Sequence, residues 1–266
     1  MKRARVMAFA LGLAIAILVE QPRPSQLRRP GDNGPAIKAQ INAPAFLALD
    51  ARGNIYVYED IAPGAIRRID RSTHRITTVA VECDPDGKQP VLTGCFGAIE
   101  GLQVTDSGNL LFLEFISNRV SSYDRVSHRF TVIAGNGAPA SKGDGGQARD
   151  ASLAFPNCLG LDHNSDVFVC DSNYSIRRIE SKTGIISTVA GNGKRGFAGD
   201  GGPALNAQFD TPGSVAVDRQ GNIFVADATS NRIRRVDANT GIIETYAGID
   251  FPPATVWRFS GCRGYT

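Results

Sequence analysis

Three sets of side chains in this sequence have types and spacing that could do chemistry: arginine pairs with recurring acids, three histidines, and five cysteines. The pairs are Arg67-Arg68, Arg177-Arg178 and Arg234-Arg235, and the acids Asp60, Glu114, Asp171 and Asp227 recur at similar intervals. Guanidinium and carboxylate groups make strong paired hydrogen bonds, so ion pairs between neighbouring repeats are the first expectation. The alternative is a charged rim. There Asp60, Glu114, Asp171, Asp227, Arg67, Arg177 and Arg234 would bind an acidic sugar, a peptide or another protein. His74, His128 and His163 suit metal ligation or general-base work. However, His74 and His128 stand where Gly184 and Gly241 stand in related segments, and His163 falls in a turn. Histidine is one of the residues that tolerates the left-handed backbone glycine would otherwise supply. Turn roles therefore account for all three.

Gly- and Asp-rich linkers recur at Gly31-Asp-Asn-Gly-Pro-Ala36, Asp86-Gly87, Gly143-Asp144-Gly145-Gly146 and Gly199-Asp200-Gly201-Gly202. Calcium is the one ion these oxygens suggest, but it needs about 6–8 ligands and each run offers one or two acids. Asp-Gly is also a turn former. No Gly-Lys-Ser/Thr phosphate loop and no Gly-x-Ser-x-Gly elbow is present. The sequence thus assigns no catalytic residue, no metal ligand and no cofactor.

The cysteines fit an oxidising compartment. Cys158 and Cys170 flank one hairpin, and pairing of Asp162 with Asp166 across its turn would set them opposite each other. That geometry allows a disulfide, with two free core thiols as the alternative. Cys83 and Cys95 bracket an unusual linker and could be bridged, and Cys262 is left over. No Cys-x-x-Cys spacing occurs, so zinc binding and thiol redox catalysis have little support.

The elements that must position these groups come from an internal repeat. A turn residue recurs as Asn54, Asn109, Asp166 and Asn222, a third-strand residue as Ile66, Val120, Ile176 and Ile233, and an alanine as Ala80, Ala134, Ala190 and Ala247. Each unit reads as four short strands with tight turns. The Asp-x-x-Gly-Asn turn places glycine where φ must be positive. Val215, Val217, Ile223 and Val225 fall on one face of the last unit, and Ala216 and Phe224 on the other. Both faces are apolar, so each small sheet must be covered twice. A row of sheets stacked face to face does this, which is the β-propeller arrangement. The fold class is therefore all-β, with four four-stranded antiparallel blades in an incomplete or open ring. The repeats run over about 31–80, 81–135, 136–191 and 192–248.

Outside residues 27–248 lie two other segments. Lys2, Arg3 and Arg5 precede the apolar run Val6–Val19, as in a secretory signal. As a helix the run would rise about 21 Å, short of a bilayer core of about 30 Å. Residues 1–26 are expected to be a signal peptide cleaved near 19–26, or an N-terminal anchor. Residues 249–266 abandon the repeat. Charge follows the same division. The first 30 residues hold six basic residues and one acidic, leaving 23 basic against 25 acidic in the remainder. A body without positive excess is a poor nucleic-acid partner, and membrane contact is expected only through an uncleaved N-terminus.

The strings Thr-Val-Ala-Gly-Asn-Gly (188–193), Gly-Asp-Gly-Gly-Pro-Ala (199–204), Val-Ala-Val-Asp (215–218), Gly-Asn-Ile-Phe-Val-Ala-Asp (221–227) and Ile-Arg-Arg-Val (233–236) resemble NHL-repeat propellers. The long bacterial-type repeats and the NHL region of teneurins are the nearest in pattern. The resemblance covers about residues 31–248 and is best in the last two repeats. It implies a scaffold that binds a protein or small ligand, and the N-terminal segment makes that scaffold an exported one, periplasmic or extracellular. Some relatives of this kind are lyases or lactonases with a metal in the central funnel, but lyase chemistry resting on histidines does not fit turn histidines. Two departures stand out. Ser121-Ser122 replaces the arginine pair in the second repeat, and four repeats are fewer than the six the family usually closes. A second copy completing the ring, or a truncated propeller, follows from the latter.

Overall fold

The computed structural model describes residues 29–61, 63–81 and 99–249. The N-terminal apolar run, Cys83, Cys95, Cys262 and the tail beyond Ile249 lie outside them.

Sixteen strands form four antiparallel sheets, each in meander order. Blade 1 holds β1 (Pro44–Leu49), β2 (Ile55–Glu59), β3 (Ala65–Ile69) and β4 (Ile76–Val81). Blade 2 holds β5 (Gly101–Val104), β6 (Leu110–Glu114), β7 (Arg119–Asp124) and β8 (Arg129–Ala134). Blade 3 holds β9 (Cys158–Leu161), β10 (Val167–Asp171), β11 (Ser175–Ile179) and β12 (Ile186–Ala190). Blade 4 holds β13 (Pro212–Val217), β14 (Ile223–Asp227), β15 (Arg232–Val236) and β16 (Ile243–Ala247).

The registers repeat with the sequence. Val57 faces Arg67, Phe112 faces Ser121, Val169 faces Arg177 and Val225 faces Arg234. The first hairpin turn takes φ near +80° at Gly53, Gly108 and Gly221 (77°, 87° and 86°), and Ser165 supplies the same left-handed residue in blade 3. His74 and His128 have φ of 53° and 57°, matching 70° at Gly184 and 66° at Gly241. The histidines thus replace glycine at a turn.

The apolar faces alternate as expected, and three cores lie between the four blades. Tyr56, Tyr58 and Ile66 of blade 1 pack on Leu102, Leu110 and Phe112 of blade 2. Leu111, Leu113 and Val120 of blade 2 pack on Leu159, Val167 and Val169 of blade 3. Phe168, Cys170 and Ile176 of blade 3 pack on Val215, Ile223 and Val225 of blade 4. Inner strands touch in sequence order, β1 with β5, β5 with β9, and β9 with β13. The sheets do not close on themselves.

Linker residues wedge into these cores at fixed repeat positions. Ala148, Ala151 and Leu153 enter the core between blades 2 and 3, and Ala204, Ala207 and Phe209 the core between blades 3 and 4. Pro203 precedes a single 3-10 turn at Ala204–Asn206, the short helical turn expected after that proline.

Candidate functional site

The first arginine of each pair is not at a rim. Arg67, Arg177 and Arg234 are buried, and each is held by the linker that leads into its own blade. Arg67 donates to Asp32 (3.0 Å) and to the carbonyls of Gln40 and Pro30 (2.6 and 3.3 Å). Arg177 donates to Asp144 (2.5 Å) and to the carbonyls of Ser152 and Lys142 (2.8 and 3.2 Å). Arg234 donates to Asp200 (2.6 Å) and to the carbonyls of Gln208 and Ala198 (3.1 and 3.3 Å). The same repeat positions serve three times. The second oxygen of Asp144 accepts from the Thr188 backbone N–H, and that of Asp200 from the Thr245 backbone N–H, at 3.0 Å each. The linkers of Asp32, Asp144 and Asp200 are therefore clasps that fix a loop to its blade; Asp86-Gly87 lies outside the described residues. Pairs between repeats were expected; the ion pairs lie within one repeat because the linker folds back over the blade it precedes.

The strand-end acids are structural too. Asp227 accepts from the backbone N–H groups of Asp210 and Thr211 (3.0 and 2.7 Å) and from the Ser230 hydroxyl (2.7 Å). Asp171 accepts from the Ala154 N–H at 2.6 Å and lies 3.7 Å from Arg177. Both are buried, so neither forms an accessible rim. Glu114 is half-buried and accepts from the Ser117 hydroxyl at 3.0 Å. In blade 1 the equivalent acid is Glu59, buried 3.1 Å from Arg67, and not Asp60. Strand β2 ends one residue earlier than the sequence suggested, which leaves Asp60 exposed just past it. Counting from Asn54 as from Asn109, Asp166 and Asn222 selects Glu59, so the repeat spacing held the signal.

Charge states follow the packing. Burial pushes the Asp144 carboxyl up, but its bonds from Thr188 and Arg177 outweigh that and hold it below the ordinary range. Burial dominates at Asp171 and pushes it up, despite hydrogen bonds from Ser141 and Ala154 and the nearby Arg177.

Cys158 and Cys170 are directly opposed in register and joined by a disulfide with Cα atoms 4.9 Å apart. Among the described residues, no group of three or more His, Cys, Asp or Glu comes together as a metal site. No helix among them is long and apolar enough to cross a membrane.

The second arginine of each pair explains where a cavity lies. These side chains lie on the forward face of each blade, toward the next blade for Arg68 and Arg178 and on the open face of blade 4 for Arg235. Arg178 donates to Asp166 at 2.8 Å, Arg68 to Asp70 at 2.7 Å, and Arg235 to Asp237 and Glu244 at 2.8 and 3.0 Å. Blade 2 has Ser122 at this position, opposite Leu111. Between blades 2 and 3 a cleft of about 520 Å³ opens beside Ser122. Its apolar lining is Leu111, Val132, Ile133, Val167 and Ile179, of which Val132 is exposed, and Thr105, Asn109, Arg149, Ser165, Glu180 and Ser181 are among its polar lining. Small-molecule sites have volumes of roughly 300–1,000 Å³ and combine apolar surface with placed polar groups; here five apolar side chains share the lining with nine polar ones. The cleft was not foreseen, although Ser121-Ser122 was the visible departure that creates it. A second cleft of about 460 Å³ lies beside Phe197, where Arg232 stacks 3.9 Å from the ring and Arg195 pairs with Asp210. Its charged groups are already engaged.

The model of the teneurin NHL domain matches residues 193–252. Mouse teneurin-1 is 27% identical over 242 residues, covering 79% of this chain and 8% of that protein. A structure described as an auxiliary nutrient binding protein from Bacteroides ovatus has a TM-score of 0.55 at 18% identity, covering 79% of this chain and 50% of that one. A protein of the same description from Bacteroides thetaiotaomicron has a TM-score of 0.50 at 20% identity, covering 73% and 46%. The chain therefore spans under a tenth of the length of mouse teneurin-1 and about half of each structural neighbour. The sequence matches support an NHL-repeat family, and the structural ones show the propeller fold.

Proposed function

We propose that this chain is an exported NHL-type propeller that acts as a binding scaffold without catalysis. Its ligand is a small, largely apolar molecule with polar groups at one edge, held in the cleft between blades 2 and 3. The observation that carries this is the cleft itself, about 520 Å³ with Leu111, Val167 and Ile179 in its lining, at the one blade where serine replaces the second arginine. Two structures of the same fold are described as nutrient-binding proteins, which supports a binding role. The residues lining the cleft include no histidine or cysteine. Export rests on the basic residues and apolar run at 2–19 and on the Cys158–Cys170 bridge. In the same reading, residues 1–26 target the chain, 27–248 form the propeller, and 249–266 are a tail apart from it.

A fragment library screened by ligand-observed NMR tests the reading. Hits on the wild type should disappear on Ser122→Arg, whose side chain would fill the cleft. Hits retained by that variant would refute the proposed site.

A further inference from the structure

Each interior interface joins the same two faces. A forward face, carrying the Ile66, Val120 and Ile176 position, meets the preceding-side face of the next blade, carrying the Leu102, Leu159 and Val215 position. At these interfaces every one of those six residues is at most 8% exposed. The two ends of the row expose the same faces, Ile233 and Leu47 standing at the two positions named. On blade 4, Ile233 is 41% and Tyr246 62% exposed; on blade 1, Leu47 is 68% and Leu49 66% exposed. The blade 4 end therefore offers the face that blade 3 uses, and the blade 1 end the face that blade 4 uses to receive it. The two open faces are complementary by repetition, and each is unpartnered among the described residues.

We propose that a second copy of this chain covers both. Blade 4 of each copy stacks on blade 1 of the other, extending the interface already present three times within the chain. Such a head-to-tail contact, made twice, closes into a two-fold ring. Two rows of four sheets give eight blades, within the range of about 4–8 that propellers adopt.

Analytical ultracentrifugation of the full 266-residue chain tests this with two variants at exposed positions, Leu47→Glu and Tyr246→Lys. Wild type should sediment as a dimer. Each variant alone should sediment as a monomer with an unchanged circular dichroism spectrum. Mixing the two should restore a dimer, because one interface is then wild type on both sides and the other sets Glu against Lys. A monomeric wild type would overturn the proposal, including one whose blade 4 face is shielded from hydrogen exchange by its own tail. Dimers that persist in both variants, or fail to reform on mixing, would overturn it equally.

Discussion

Blades 2 and 3 are built on one repeat and spend the same two positions in opposite ways. In blade 3, Arg177 is buried in the linker clasp and Arg178 is tied to Asp166. In blade 2, Ser121 and Ser122 occupy those sites, and the face toward blade 3 keeps an open cleft. The arginines are structural cement, and their replacement by serine leaves room. A repeat protein can thus acquire a site by deletion of a side chain at one copy, with the other copies holding the scaffold.

Breaking the clasp should have the largest effect. Arg177→Met strands the buried Asp171 and the linker carbonyls, and removal of one partner from a buried ion pair costs about 3–5 kcal/mol. Urea unfolding measures it. The corresponding change at blade 2, Ser121→Ala, should fall within about 0.5 kcal/mol of wild type. Equal losses at the two positions would break the comparison.

The disulfide comes next. Blade 3 places Cys158–Cys170 where blade 1 stacks Phe46 on Tyr58 with ring centroids 6.1 Å apart. Replacing both cysteines by alanine should cost about 2–4 kcal/mol, read from the unfolding midpoint without reductant. Reductant should then have no further effect on this hairpin.

A smaller effect concerns pH. Asp144 has a folded-state pKa below its unfolded value. Its contribution is therefore present above the unfolded value, about 4, and is lost as pH falls through the lowered folded one. Asp144→Asn should reduce stability at neutral pH and flatten the acid side of the stability profile. Asp171 has the opposite sign, since burial raises it; its contribution is present below the unfolded value and lost as pH rises through the folded one.

Much of this organisation was legible in the sequence. The recurrence of Asn54, Asn109, Asp166 and Asn222 located every first hairpin, and the alternation at 215–225 marked two apolar faces, of which the Val215 and Val225 face is buried against blade 3 while Ala216 on the other is exposed. The opposition of Cys158 and Cys170 followed from register alone. The two arginines of a pair do take opposite faces; what the sequence does not show is their partners. Strand alternation states which face a side chain takes but not what lies over that face, and the linker folds back across 33 residues to meet Arg177. Asp60 and Glu59 are adjacent acids that look alike until the end of β2 at Glu59 is known. The cleft needs a difference between blades, and Ser122 shows its meaning only when Leu111, Val167 and Ile179 are seen around it.

The least disruptive change bears most directly on the central claim. A crystal structure of Ser122→Arg should show the new guanidinium lying in the cleft. It should reach Asn109 and Asp124, the counterparts of the Asp166 that Arg178 uses and the Asp70 that Arg68 uses, with stability changed by no more than about 0.5 kcal/mol and the backbone unmoved. An arginine turned out to solvent over an open cleft would contradict the account.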